Sequence, residues 1–112
     1  MKQSVVVEIN YTTMYTKKQI EEKLLDVMDP ELQMSIVDLG LIYEVTLENE
    51  KVTILMTLTT MGCPLFDTIE EDIFSRLGSL GIEEKNIKIS LTFDPPWSMD
   101  RMTERAKAML GI

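Results

Sequence analysis

Two alternating stretches, 43–48 and 52–58, separated only by a polar turn, constrain this chain more than any other feature. Tyr43, Val45 and Leu47 alternate with Glu44, Thr46 and Glu48, while Val52, Ile54, Met56 and Leu58 form an inner face opposite Thr53 and Thr57. A period of two places one apolar row on each half-buried strand. The connection Glu48-Asn49-Glu50-Lys51 is so short that the pair must be an antiparallel hairpin.

Helical patterns flank the hairpin. Thr16-Lys17-Lys18-Gln19 reads as a capping box, with the Thr16 hydroxyl taking an orphan N–H and Gln19 reaching back. Ile20, Leu24, Val27 and Met28 share one face of that helix, and Glu21, Glu22, Lys23 and Asp26 occupy the others. Pro30 disfavours helical geometry at Asp29 and ends it. Residues 31–41 read as a loop with Gly40 as a turn residue. Beyond the loop 59–64, Pro64 stands in the first turn of a second helix, where a missing N–H costs little. Phe66, Ile69, Ile73, Leu77 and Leu80 carry its apolar face, and Gly78 and Gly81 close it.

Ile87, Ile89, Leu91 and Phe93 alternate with Lys88, Ser90 and Thr92, a third strand. Asp94-Pro95-Pro96-Trp97 cannot continue a ladder, and Ser98 can cap a last helix bearing Met102, Ala106, Met109 and Leu110. Val5, Val7, Ile9 and Tyr11 also alternate, so residues 1–15 read as an edge strand or a loose N-terminal arm ahead of one domain, 16–112. The order is α-β-β-α-β-α with an optional extra N-terminal strand. That is an α/β (α+β) fold: a two-layer sandwich, a small mixed sheet with helices on one face.

This order has a consequence for function. The helix after residue 58 must run back across the sheet, so strand 87–93 lies parallel to strand 52–58. The start of the first strand and the ends of the other two then meet at one end of the sheet. Loops 29–41, 59–64 and 94–98 converge there, bringing Asp29, Glu31, Asp38, Thr59, Thr60, Cys63, Asp94 and Trp97. Ligand sites in α/β sheets favour the carboxyl ends of strands.

Composition narrows the chemistry. The 112 residues contain no histidine, which removes Ser-His-Asp and Cys-His catalysis and His-ligated zinc. One cysteine removes intrachain disulfides, CxxC redox pairs and a Cys₄ metal site within one chain. A net charge of −8 argues against nucleic acid, whose affinity comes largely from Lys and Arg. Val5-Val6-Val7 is stopped by Glu8, too short for a signal-peptide core or a membrane span. An unpaired cysteine without an export signal points to the cytoplasm.

Cys63 is the sharpest residue of the converging group. Gly62 permits close backbone approach and Pro64 opens a helix, so the sulfur sits beside unpaired N–H groups that favour thiolate. Asp67, Glu70, Glu71 and Asp72 push the other way. The bland alternative is a small buried hydrophobe. Asp29 and Glu31 could be oxygen ligands, proton acceptors or partner-binding charges beside a thiolate, or simply a helix terminus and a polar loop. Thr59 and Thr60 could hydrogen-bond a thiolate or satisfy a strand end. Trp97 reads as a packing anchor. Of the nine methionines, Met28, Met56, Met102 and Met109 read as core filler, and Met34, Met61 and Met99 as an apolar rim.

Four blocks resemble a known family. Asp29-Pro30-Glu31-Leu32, Ser35-Ile36-Val37-Asp38-Leu39-Gly40-Leu41-Ile42-Tyr43, Leu58-Thr59-Thr60-Met61-Gly62-Cys63-Pro64 and Phe93-Asp94-Pro95-Pro96-Trp97-Ser98 resemble the SufT/PaaD-type metal–sulfur cluster biosynthesis family. The same domain opens some Mrp-type cluster-carrier ATPases and is related to a eukaryotic cytosolic iron–sulfur targeting factor. The resemblance spans about residues 16–112, in order and spacing. It implies maturation of iron–sulfur proteins by delivering clusters to recipients or helping insert them. The family's motif cysteine maps to Cys63, its Asp-Pro-Glu motif to Asp29, Pro30 and Glu31, and its threonine to Thr59 or Thr60. PaaD-type members carry an extra cysteine-rich C-terminal segment that this sequence lacks, so the short SufT-like form is the closer match.

One cysteine cannot hold a cluster that wants four thiolates. The expectation is therefore no stably bound cofactor but transient, shared ligation of an iron–sulfur cluster or iron. Cys63 is the ligand or docking thiol, with Glu31 and Asp29 beside it. A homodimer would supply two thiolates, and assembly proteins and recipient apoproteins are the expected partners. A metal-free adaptor fits the same residues. A thiol enzyme is disfavoured, having no histidine and no second cysteine to resolve an intermediate.

Overall fold

The computed structural model describes residues 15–59 and 64–112, the side chains of 64 and 65 excepted. The expected N-terminal strand or arm, but for Tyr15, lies outside the described residues, as do Thr60 and Cys63. The first helix, α1 (Lys17–Leu25), starts on the capping box: Gln19 N–H donates to Thr16 Oγ1 at 3.1 Å and Thr16 N–H to Gln19 Oε1 at 2.9 Å. It stops earlier than its apolar spacing predicts, with Asp26 as C-cap. Val27 remains fully buried, but Met28 is 51% exposed. The reason is a small hairpin that two-residue strands cannot announce by periodicity. Strand β1 (Met28–Asp29) pairs antiparallel with β2 (Met34–Ser35).

The main sheet has three strands, β3 (Ile42–Glu48), β4 (Lys51–Met56) and β5 (Ile87–Leu91), with β4 central. β3 and β4 are antiparallel, joined by Asn49 and Glu50, both at positive φ (50° and 70°). Positive φ at both central residues is the type I′ signature of a two-residue hairpin turn. β4 and β5 are parallel, as the crossover through α2 (Pro64–Gly78) requires. One sheet face, with Val52, Ile54 and Met56 fully buried, joins Ile20 and Leu24 of α1 and Ile69, Ile73 and Leu77 of α2 in one core. The other face, including Thr46, Thr53, Leu55 and Ser90, is half-buried. The two-layer arrangement with helices on one face is as the sequence predicts.

The C-terminal part differs in detail. β5 ends at Leu91, so Phe93 leaves the ladder and stands exposed. Ser98 opens only one 3₁₀ turn, Met99–Arg101, and Thr103 caps the final helix, α3 (Glu104–Leu110). Of the methionines expected inside, Met56 and Met102 are buried, but Met28 and Met109 are exposed. Met34, expected at a rim, is buried.

Tyr15 ties the start of the described chain to the β3–β4 turn, its hydroxyl donating to the Glu50 carbonyl at 2.8 Å. Burial, and secondly the Glu50 charge, raise its pKa above the ordinary 10.0. The neutral hydroxyl is thus favoured by folding. This stabilisation is complete below pH 10 and is lost as pH rises through the raised value. Alkaline melting curves should fall more steeply for the wild-type protein than for Tyr15→Phe.

Candidate functional site

Register fixes which loops meet. Ile42 at the start of β3 pairs with Met56 at the end of β4, which pairs with Leu91 at the end of β5. The segments before β3, after β4 and after β5 therefore emerge at one end, as connectivity demanded. Short bonds prolong the sheet into them: Thr57 N–H donates to the Leu41 carbonyl (2.8 Å) and Thr92 N–H to the Met56 carbonyl (2.9 Å).

Asp29 is 2% exposed and builds the turn of the small hairpin. Its Oδ1 accepts the N–H of Glu31 at 2.8 Å and of Leu32 at 2.9 Å, while its carbonyl accepts Gln33 N–H at 2.7 Å. Gln33 sits at φ 56° to close the turn. A buried carboxylate spent on two backbone donors is a structural acceptor first. Glu31, in contrast, is exposed. Asp29→Ala should cost about 3 kcal/mol in urea unfolding, because two N–H groups lose a charged acceptor. Asp29→Asn, which keeps a carbonyl oxygen there, should recover most of that loss. An Asn variant as unstable as the Ala variant would show that the charge matters beyond the turn.

Asp38 is also buried and serves the C-terminal part. Its Oδ2 takes Arg105 at 2.6 Å, its Oδ1 takes the Thr103 hydroxyl at 3.1 Å, and its carbonyl takes Thr103 N–H at 2.9 Å. The Thr103 oxygen in turn accepts Ala106 N–H at 3.1 Å, so one hydroxyl caps α3 and docks it. Trp97 is the anchor the sequence suggests: its indole N–H donates to the Leu39 carbonyl at 2.6 Å. Asp94 is exposed, with its backbone tied to the Thr92 hydroxyl at 3.2 Å. Thr59 is half-buried at the edge of the loop that leads to Cys63.

Three further features belong to this end of the sheet. The Arg101 guanidinium lies 4.6 Å from the centre of the Tyr43 ring, whose hydroxyl donates to the Pro95 carbonyl at 2.8 Å. Those residues bound a cleft of about 590 Å³ with Gly40, Glu44 and Asp94. Thr57 is fully buried with a hydroxyl that has no hydrogen-bond partner among the described residues. None of these announces itself by spacing: the alternation places Thr57 opposite the inner face, whereas β4 ends at Met56 and Thr57 and Leu58 are both buried.

Two of the elements next to the motif residues are in contact. Helix α2, which begins directly after Cys63, packs against β1, which ends on Asp29. Among the described residues no group of three or more His, Cys, Asp or Glu is close enough to hold a metal. Among the described residues, this end of the sheet presents an exposed carboxylate at Glu31 on the turn that Asp29 builds.

The model of the iron–sulfur cluster assembly protein family matches residues 17–89. The chain belongs to the iron–sulfur cluster assembly protein family. Among curated members of that family, a Bacillus subtilis (strain 168) protein named Fe-S protein maturation auxiliary factor YitW is 42% identical over 97 residues, spanning 86% of this chain and 94% of the relative. A Staphylococcus aureus (strain USA300) protein named Fe-S protein maturation auxiliary factor SufT is 40% identical over 87 residues, spanning 77% of this chain and 98% of its own length. A crystal structure of a domain of unknown function from Bacillus anthracis superposes with a TM-score of 0.79 at 39% identity, covering 86% of this chain and 92% of that one. The iron–sulfur assembly fold is therefore shared across nearly the whole domain. Among the described residues no helix is long and apolar enough to cross a membrane.

Proposed function

We propose that this protein is a maturation factor for iron–sulfur proteins that assists cluster assembly or transfer to recipient apoproteins, and that it is not an enzyme. Cys63 is its working atom, a transient thiolate ligand or docking thiol. The reading draws on family membership and on the names of the relatives. The observation that carries it furthest is the match of the iron–sulfur cluster assembly family over residues 17–89. In this reading Glu31, exposed on the turn that Asp29 builds, is the carboxylate that assists the thiol, and Asp29 acts through that turn.

Iron or a cluster is cargo in this reading. Four thiolates exceed what one cysteine offers, so ligation is shared and brief. A homodimer contributes two sulfurs, and external thiols or the recipient complete the shell. The partners are assembly proteins that load the cargo and apoproteins that accept it. A free thiol with this role suits the cytoplasm, where thiols stay reduced.

The test is anaerobic reconstitution with ferrous iron and sulfide, counting iron per chain beside the mass of the assembly. The expected result is about one cluster per two chains. Absence of iron would overturn the carrier role and leave a metal-free adaptor, for which exposed Met28, Met99 and Met109 provide adaptable apolar surface.

A further inference from the structure

We infer that the groove between the end of α1, the hairpin β1–β2 and helix α3 docks a short segment of a partner protein in which a large apolar side chain stands beside lysine or arginine. The groove has a volume of about 360 Å³. Leu25 of α1, Met28 of β1 and Met109 of α3 line it from three elements, and they are 37%, 51% and 64% exposed. Single apolar residues are ordinary on a surface, but three gathered around one concavity mark a contact site. The frame around them is fastened. Asp29 closes the hairpin turn through two backbone N–H groups, and Asp38 holds Arg105 of α3 at 2.6 Å. Methionine walls adapt to an aliphatic or aromatic anchor, and sulfur favours the edge of a ring. A cavity at the small end of the ligand-sized range takes an anchoring side chain and its neighbour, not a folded element.

Charge selects the occupant. Asp26 lines the groove, and Glu31 stands exposed on the turn that joins β1 to β2. Neither is in a salt bridge among the described residues. The cation lining the groove, Arg105, is already paired with Asp38. The rim therefore offers carboxylate to whatever fills the apolar centre, and complementarity calls for a lysine or arginine beside the anchor. A second copy is a poor match, since it brings another chain of net charge −8. The side chains of residues 1–14 carry one cation, Lys2, against one anion, Glu8, so they supply no surplus of positive charge. The inference deepens the maturation reading and rests on it for the kind of partner, an assembly protein or a recipient. Met28 adjoins Asp29 in β1, so a segment held in the groove lies next to the motif turn that carries Glu31.

The test titrates the full chain, with isotope-labelled methionine methyls, against three end-blocked hexapeptides. One has lysines around a phenylalanine–leucine core, one has glutamates around the same core, and one has lysines around a serine core. The first should move the Met28 and Met109 methyl signals and leave those of buried Met56 and of Met99, exposed outside the groove, in place. The other two should bind at least about tenfold more weakly. Met28→Lys, at an exposed position, should weaken the first peptide by about tenfold or more, while Met99→Ser should leave it unchanged. An unmoved Met56 signal shows that each variant is folded. Equal binding of the three peptides, movement of Met99 instead, or no loss in Met28→Lys overturns the inference. So does movement of the Met28 and Met109 signals on dilution of the free protein, which makes a second copy the occupant. Movement of the same signals by Val7→Lys in the free protein overturns it too, and makes the chain's own N-terminal segment the occupant. Cys63→Ser should bind the peptide as the wild type does. Iron uptake without peptide binding defeats this inference alone, and peptide binding without iron uptake defeats the carrier reading alone.

Discussion

Cys63→Ser is expected to emerge from anaerobic reconstitution with only background iron, a loss of more than about tenfold relative to the wild-type protein. The physical reason is the softness and acidity of the ligand. A thiolate forms near neutral pH and binds iron strongly, whereas a serine hydroxyl stays protonated and is a poor, hard donor. With one cysteine in the sequence, no other sulfur except methionine thioether can substitute. Glu31, exposed on its turn, can assist but cannot supply the missing thiolate. The variant should melt with the wild type, and transfer to an apo recipient should fall in parallel with iron content. Retained iron in Cys63→Ser would move the ligand role to carboxylates.

Gly40→Ala should cost about 4 kcal/mol, a large part of the stability of a domain this size. Gly40 has φ 78°, a region in which an L side chain carries a penalty of about 1–2 kcal/mol. The larger part is steric. A Cβ there would stand 2.7 Å from the Arg101 carbonyl carbon and equally close to its Cβ, with the carbonyl oxygen nearer still. Backbone cannot swing aside as a flexible side chain can, so segment 98–102 would have to lift from 39–41. Lifting it would strain the Trp97 bond to Leu39 and the hold of Asp38 on Thr103. Gly111→Ala is the control. It has almost the same φ, 79°, but nothing within 4 Å of the added carbon, so only about 1 kcal/mol should be lost. Urea midpoints of the two variants separate backbone strain from collision.

What the sequence disclosed followed period and connectivity. Val52, Ile54 and Met56 announced a buried strand face, and the helix between 58 and 87 forced the parallel partner and the convergence of loops. The hairpin 28–35 is hidden from periodicity because two residues make no period, so the spacing places Met28 on a helical face whereas the structure exposes it. The final helix starts more than one turn later than Ser98 predicts, because Ser98 and Thr103 are equally good caps in isolation. Thr103 prevails through Asp38, a partner 65 residues away that no local rule can see. The same blindness applies to the candidate site. Its residue types were legible as motifs, but whether Asp29 serves a turn or a ligand depends on where its oxygen points. Two backbone N–H groups answer that question.

The described loop end of this molecule is assembled from three stretches far apart along the chain: 29–41, 57–59 and 92–101. No contiguous peptide contains it. A fragment spanning 57–66 would keep the sulfur and the helix start, yet lose the carboxylate turn before it and the indole and Asp38 fastenings that brace its surroundings. Grafting that fragment onto an unrelated scaffold would transfer a cysteine and little else. Segment exchange with a relative should therefore keep stability only when 29–41 and 92–105 move together, since Trp97, Thr103 and Arg105 are fastened to Leu39 and Asp38.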